Sequence, residues 1–190
     1  MKCPPCNGGG RDPYTLEICI PCKGYGCVAL VPAKAPEVKG PTVFFIRTGT
    51  PWSAHITLEE LFTDLSDAVC ICDPYYGIGS LLRLSLLRRC SPIRFLTQQP
   101  DHKEGQRLDR AIQEWKTEHG NTEFRCHQGR DLHDRFVLTN DELVLLGHGL
   151  KDIGNKDSFI VKIHSSLAPD LLETVRESFE AKWQGATVIA

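Results

Sequence analysis

Leu132-His133-Asp134-Arg135-Phe136-Val137-Leu138-Thr139-Asn140 is a β-like run that carries charge where a core strand would carry none. Side chains alternate faces along a strand, so His133 and Arg135 point the same way and Asp134 points to the opposite face. A histidine beside an arginine on one face suits a phosphate. The guanidinium offers paired donors, and the imidazole can attack phosphorus or shuttle a proton. The alternative for the same run is a surface strand with two polar residues turned to water. Asn140 and Asp141 end the run as a polar turn.

The residues that follow favour the phosphate reading. After Asn140 come six residues and then Gly147-His148-Gly149-Leu150. The layout resembles the signature of the phospholipase D superfamily: His-x-Lys, then an Asp, then Gly-Ser-x-Asn. In that family the His is a nucleophile that forms a phosphohistidine, and the Lys and Asn hold phosphate oxygens. The resemblance sets His133 at the nucleophile, Arg135 at the Lys and Asn140 at the Asp as catalytic candidates, with Gly147 at the Gly. Arg135 keeps the capacity to bind phosphate. His148 and Leu150 replace the Ser and the last Asn, so a catalytically degenerate domain is the second reading. Enzymes of the family use two such motifs and this chain has one. The resemblance therefore implies a homodimer: His133 of one protomer attacks, His133 of the other protonates the leaving oxygen, and no metal is needed.

Neighbouring groups extend the candidate site. Gly149-Leu-Lys151-Asp-Ile-Gly154-Asn-Lys156 is a Gly-punctuated loop able to aim backbone N–H groups and Lys151 at an oxyanion, or else an ordinary connection with solvated charges. Gly147, His148 and Lys151 are the substrate-binding candidates. Asp73 and Tyr75 read first as a structural Asp-Pro turn and second as cleft-lining groups. His102, His119 and His127 fall in no pattern, and Asp131 reads as a turn cap.

The whole chain sets the bounds. Its 190 residues are 41% hydrophobic and 24% charged with net charge −2, an ordinary globular composition rather than that of a strongly basic nucleic-acid binder. No run reaches the roughly 18 apolar residues of a membrane span, and the opening Met-Lys-Cys-Pro-Pro-Cys lacks the apolar core of a signal peptide. The nine Cys are an odd number, and four of them fall in C-x-x-C pairs, which points to metal and a reducing cytoplasm rather than disulfides.

Those pairs lie in Cys3-Pro-Pro-Cys6-Asn-Gly-Gly-Gly and Cys19-Ile-Pro-Cys22-Lys-Gly-Tyr-Gly, two copies of C-x-x-C-x-G-x-G. Four thiolates at this spacing form a closed tetrahedral set for one structural zinc. Over these residues the chain resembles the cysteine-rich repeats of DnaJ-type chaperones; no His-Pro-Asp tripeptide accompanies them. Lys2, Arg11 and Lys23 make nucleic-acid contact one use of the knuckle, and simple stabilisation the other. Residues 31–41 are Pro-rich and read as a linker, giving a knuckle over 1–30 and a main domain over 42–190.

In the main domain, strands are expected over 42–46, 69–72, 93–96, 122–126, 132–138, 143–146 and 157–163. Helices are expected from a Thr57-Leu-Glu-Glu capping box, over 81–89, over 101–119 and over 168–183. Strand and helix alternate first, and strands cluster later. That order predicts an α/β fold: a phospholipase D-like mixed sheet flanked by helices, antiparallel in its later part. The function this implies is a phosphodiesterase, most simply a nuclease, working as a homodimer. The alternative is a degenerate domain that binds nucleic acid or a protein partner.

Overall fold

The computed structural model describes residues 40–100 and 103–189, together with Asn7, Gly9 and Arg11. The chain divides into two compact units, 1–38 and 39–190. Cys3, Cys6, Cys19 and Cys22, and with them the zinc knuckle, lie outside the described residues.

In the second unit the elements run β1 (Thr42–Ile46), α1 (Pro51–Thr63), β2 (Asp67–Cys72), β3 (Tyr75–Tyr76), α2 (Ile78–Leu84), β4 (Cys90–Thr97), β5 (Gln99–Pro100), α3 (Gly105–His119), β6 (Thr122–Cys126), β7 (Phe136–Leu138), β8 (Glu142–Leu146), β9 (Ser158–His164), α4 (Pro169–Gln184) and β10 (Thr187–Val188). The main sheet has the order β1-β9-β8-β7-β2-β4-β6-β10, and β3 pairs with β5 separately. β2, β4 and β6 are parallel, as the early alternation of strand and helix demands. β7, β8 and β9 return as an antiparallel meander, with Phe136 opposite Leu145 and Leu146 opposite Ile160.

Helices cover both faces, as expected for the α/β class. Ile71, Val137, Val144 and Ile160 pack with Leu58 of α1, Leu84 of α2 and Ile112 of α3. Cys72, Phe136, Leu138 and Leu143 face the other way, onto Leu172, Phe179 and Trp183 of α4. Alternation along β7 and β8 divides the two cores.

Two local expectations change. The first helix begins at Pro51, not at Thr57: proline at the first helical position has its φ preset and no N–H to leave unpaired. Thr57 is interior to that helix, its hydroxyl donating back to Ser53 O at 3.0 Å. The 132–138 strand shortens to Phe136–Leu138, because Leu132 turns into the α4 core and its N–H donates to the Gln98 side chain at 3.2 Å.

The meander places everything of interest at one edge. The parallel strands end there, β7 starts there and β8 ends there. Ligands of open α/β sheets sit beyond the carboxyl ends of their strands. The loop after β8 is pressed against the first turn of α2: a Cβ at Gly79 would stand 2.8 Å from the Lys151 carbonyl oxygen. Gly79→Ala is therefore expected to destabilise the fold by about 1–3 kcal/mol by forcing backbone apart; an unchanged thermal midpoint would show that the loop gives way freely.

Candidate functional site

Asp73, the first residue past β2, anchors the site. It has no solvent exposure, and its own N–H donates to Leu96 O at 3.0 Å. One carboxylate oxygen accepts the Tyr75 N–H at 3.1 Å; the other accepts the Leu150 N–H at 2.7 Å. The carboxylate thus joins the β2–β3 turn to the loop after β8. Gly149 makes this approach feasible, since a Cβ there would lie 3.3 Å from both carboxylate oxygens.

Arg135 faces the same carboxylate. Its Nε stands 3.8 Å from Asp73 Oδ1, a charge contact too long for a hydrogen bond. The guanidinium carbon lies 5.9 Å from the Tyr75 ring centroid, and Nη1 donates to His133 O at 3.4 Å. Burial pushes the Asp73 carboxyl up to about 6, against the two backbone N–H donors and the nearby Arg135 and His148.

Among the described residues, few buried side-chain nitrogens and oxygens lack a hydrogen-bond partner. Arg135 Nε and His148 Nδ1 are two of them. A buried polar atom left unpaired costs about 1–3 kcal/mol, so two in one site call for a ligand or an ordered water. An anion with several acceptor oxygens fits a guanidinium and a protonated imidazole.

His133 is exposed at the mouth of the site. It lines a groove of about 660 Å³, together with Arg135, Gly147 and Phe159 and with Leu171 and Val175 of α4. Lys151 lies on a short 3-10 turn, Leu150–Asp152, with Nζ 3.8 Å from Asp152 Oδ2. His133, Arg135, Gly147, His148 and Lys151 therefore gather at one edge of the sheet.

Asn140 is not brought to them. It follows β7 at the far end of that strand, and its carbonyl oxygen accepts from Arg176 Nη2 at 3.3 Å. Three extended residues of β7, about 10 Å, separate the two ends. Asp134, expected on the opposite face, shares the groove with His133, because the segment before Phe136 lies outside the ladder that enforces alternation. Asp73 is the turn residue expected, its carboxylate accepting the Tyr75 N–H two residues on, and it also holds the Leu150 N–H, a link the turn reading did not include. A charged residue ending the all-apolar run Val69-Cys-Ile-Cys72 was the signal.

No family model matches the sequence, and no curated protein matches it. Solved structures do share the fold. A phospholipase D family member, Nuc from Salmonella typhimurium, superposes with a TM-score of 0.58 at 12% identity, covering 78% of this chain and 97% of that one. NucT from Helicobacter pylori gives 0.55 at 8% identity over 78% of this chain and 98% of its own. TrmBL2, an archaeal chromatin protein described with a novel mode of DNA binding, gives 0.53 at 14% identity, and the match spans 84% of this chain and 57% of that one. The phospholipase D-like fold expected from the sequence is the fold observed.

Proposed function

We propose that this chain is a phospholipase D-type phosphodiesterase acting on nucleic acid, with His133 as nucleophile. The observation that carries this reading is the pair of unsatisfied buried nitrogens, Arg135 Nε and His148 Nδ1, beside an exposed histidine at the carboxyl edge of the sheet. Arg135 would hold non-bridging phosphate oxygens and stabilise the charge that builds on them, while Lys151 and the loop amides after β8 add positive potential. His133 would attack phosphorus to give a phosphohistidine that water then hydrolyses. A polymer presenting a phosphate at every residue suits a site opening into a groove, and the fold shared with a DNA-binding chromatin protein is consistent with that class of ligand. The reaction also needs a proton for the leaving oxygen. A homodimer would supply it from the second His133.

A specific observation favours the degenerate alternative, a domain that binds nucleic acid or a protein partner without cleaving. Leu150 has no side-chain amide to hold a phosphate oxygen, and its backbone N–H is already given to Asp73. Incubation with single- and double-stranded DNA and RNA in EDTA separates the two. Cleavage supports the enzyme; binding without cleavage that survives His133→Ala supports the degenerate domain.

The proposal includes one structural zinc on Cys3, Cys6, Cys19 and Cys22. Elemental analysis is expected to give about one zinc per chain, lost in a Cys3→Ser/Cys22→Ser protein; a full chain without zinc would refute it. Cys70, Cys72, Cys90 and Cys126 are free thiols, consistent with the cytoplasmic location we propose. Among the described residues no helix is long and apolar enough to cross a membrane.

A further inference from the structure

The groove beside His133 changes character along its length. At one end it carries His133, Asp134 and Arg135; the rest of its lining, among the described residues, holds no charged side chain. A substrate with one phosphate at the charged end would lay an uncharged group along the remainder. We propose that this group is an unpaired nucleobase, so that the site takes single-stranded nucleic acid in preference to a closed duplex. The inference rests on the phosphodiesterase reading above and adds which form of the polymer enters the groove.

The walls follow from two sequence periods. α4 contributes Leu171, Thr174, Val175 and Ser178, at positions i, i+3, i+4 and i+7 and so on one face of the helix. β9 contributes Phe159 and Val161, while Ile160 between them is buried in the opposite core. α4 buries Leu172 and Phe179 against β2, β7 and β8, and leaves the β9–β1 side of that face open. Phe159 is 58% exposed, and Phe45, its partner in the ladder to β1, is 51% exposed. Their ring centroids lie 4.9 Å apart, so an aromatic pair stands at the rim with its faces turned to solvent.

The end of β8 ties this rim to the phosphate grip. Leu146 N–H donates to Arg135 O and Gly147 N–H donates to Phe159 O, both at 2.8 Å. Arg135 and Phe159 therefore flank β8 on its two sides, two strand spacings or roughly 10 Å apart. Gly147 permits the approach, since a Cβ there would stand 3.1 Å from the Phe159 carbonyl oxygen.

A base suits these walls better than the other groups a phosphodiester could carry. Every base has a π-face that stacks on an aromatic side chain. Two hydroxyls on the α4 wall can meet its polar edge. Ser178 Oγ accepts from Lys182 Nζ at 3.0 Å and keeps its own hydrogen to donate; Thr174 donates to Asp170 O at 2.8 Å and keeps lone pairs to accept. An acyl chain would use neither. A duplex hides its base faces in the stack and offers phosphates and groove edges, whereas the bases of a single strand can be splayed out.

Binding is measured in a His133→Ala background, with an oligothymidine strand alone and annealed to its complement. Phe159→Ala is expected to weaken binding of the single strand by about tenfold to a hundredfold, while duplex binding, held by phosphate contacts, falls far less. Phe159→Trp should keep the affinity, and its indole fluorescence, measured against the parent's three Trp, should be quenched by the single strand and not by the duplex. Circular dichroism verifies that each variant is folded. Equal losses on the two forms, or no loss on either, would overturn the base groove. Quenching of the new indole by phosphatidylglycerol vesicles and not by the strand would overturn it in favour of an acyl chain. A dimer that Phe159→Ala converts to a monomer in sedimentation would overturn it in favour of a second copy of this chain. Cleavage of nucleic acid by the wild type would leave the phosphodiesterase standing in each of these cases. Selective, Phe159-dependent binding of single strands with no cleavage by the wild type would support the groove and fail the phosphodiesterase. A wild type that neither binds nor cleaves nucleic acid would overturn both.

Discussion

Replacing His133 by alanine is expected to lower phosphodiester cleavage by about 10³-fold or more, since the covalent route is lost and only binding and charge stabilisation remain. The same substitution should change stability by less than about 0.5 kcal/mol, because the residue is exposed and precedes β7 rather than packing within it. That contrast makes the variant informative: a folded protein that binds substrate and does not turn it over. Arg135→Ala should behave differently. It leaves Asp73 buried without the cation that faces it at 3.8 Å, so binding and stability fall together. Arg135→Lys keeps the charge and loses the planar fork, so its activity should lie between. Gel-based cleavage in EDTA and trapping of an acid-labile phosphoprotein read the first variant directly. Undiminished cleavage, with no phosphohistidine in the wild type, would sink His133 as nucleophile.

The sequence revealed the fold where periodicity was undisturbed. Thr42–Ile46 and Thr122–Cys126 form strands over the expected residues; of the stripe Leu171, Leu172, Val175 and Phe179 expected on the last helix, Leu172 and Phe179 are buried with Val175 packed against them, while Leu171 is exposed. It was misleading where one local signal overrode a neighbour. The Thr57-Leu-Glu-Glu box looked like a helix start, yet Pro51 is a stronger one, and the threonine hydroxyl finds its partner four residues back. The motif residues His133, Arg135, Gly147 and His148 were legible because spacing along two paired strands converts directly into proximity. Asn140 was not, because the same spacing carries it to the other end of β7. Asp73 lies 62 residues before Arg135 in the chain, and only the parallel-antiparallel junction of β2 with β7 brings them together. No local pattern encodes that meeting.

Asp73 gives the site a pH signature of its own. Burial raises its carboxyl from 3.8 to about 6 in the folded protein. Below pH 4 both folded and unfolded chains hold the proton, and the group makes no difference. Between pH 4 and 6 the unfolded chain releases it while the folded chain retains it, so stability falls as pH rises. Above pH 6 the burial penalty is complete, about 3 kcal/mol for a shift of this size. Other carboxyls move the opposite way: Asp131 is held low by His127, Asp157 by Thr48 and Glu180 by Arg94. Their contributions are common to the wild type and an Asp73→Asn variant and cancel in the difference. Asparagine can accept from only one of the two backbone donors, Tyr75 or Leu150, and turns an N–H₂ toward the other. That loss is independent of pH. Urea denaturation at pH 4 and pH 7 should therefore show Asp73→Asn less stable than the wild type at the lower pH and closing the gap by about 3 kcal/mol at the higher one. Arg135 and His148 are the charges facing the carboxylate, and an Arg135→Ala background should widen that pH-dependent change, since it removes an attraction that offsets burial. Parallel stability curves for wild type and Asp73→Asn would mean that the carboxylate is hydrated in solution and is not the sealed anchor on which the geometry of the site depends.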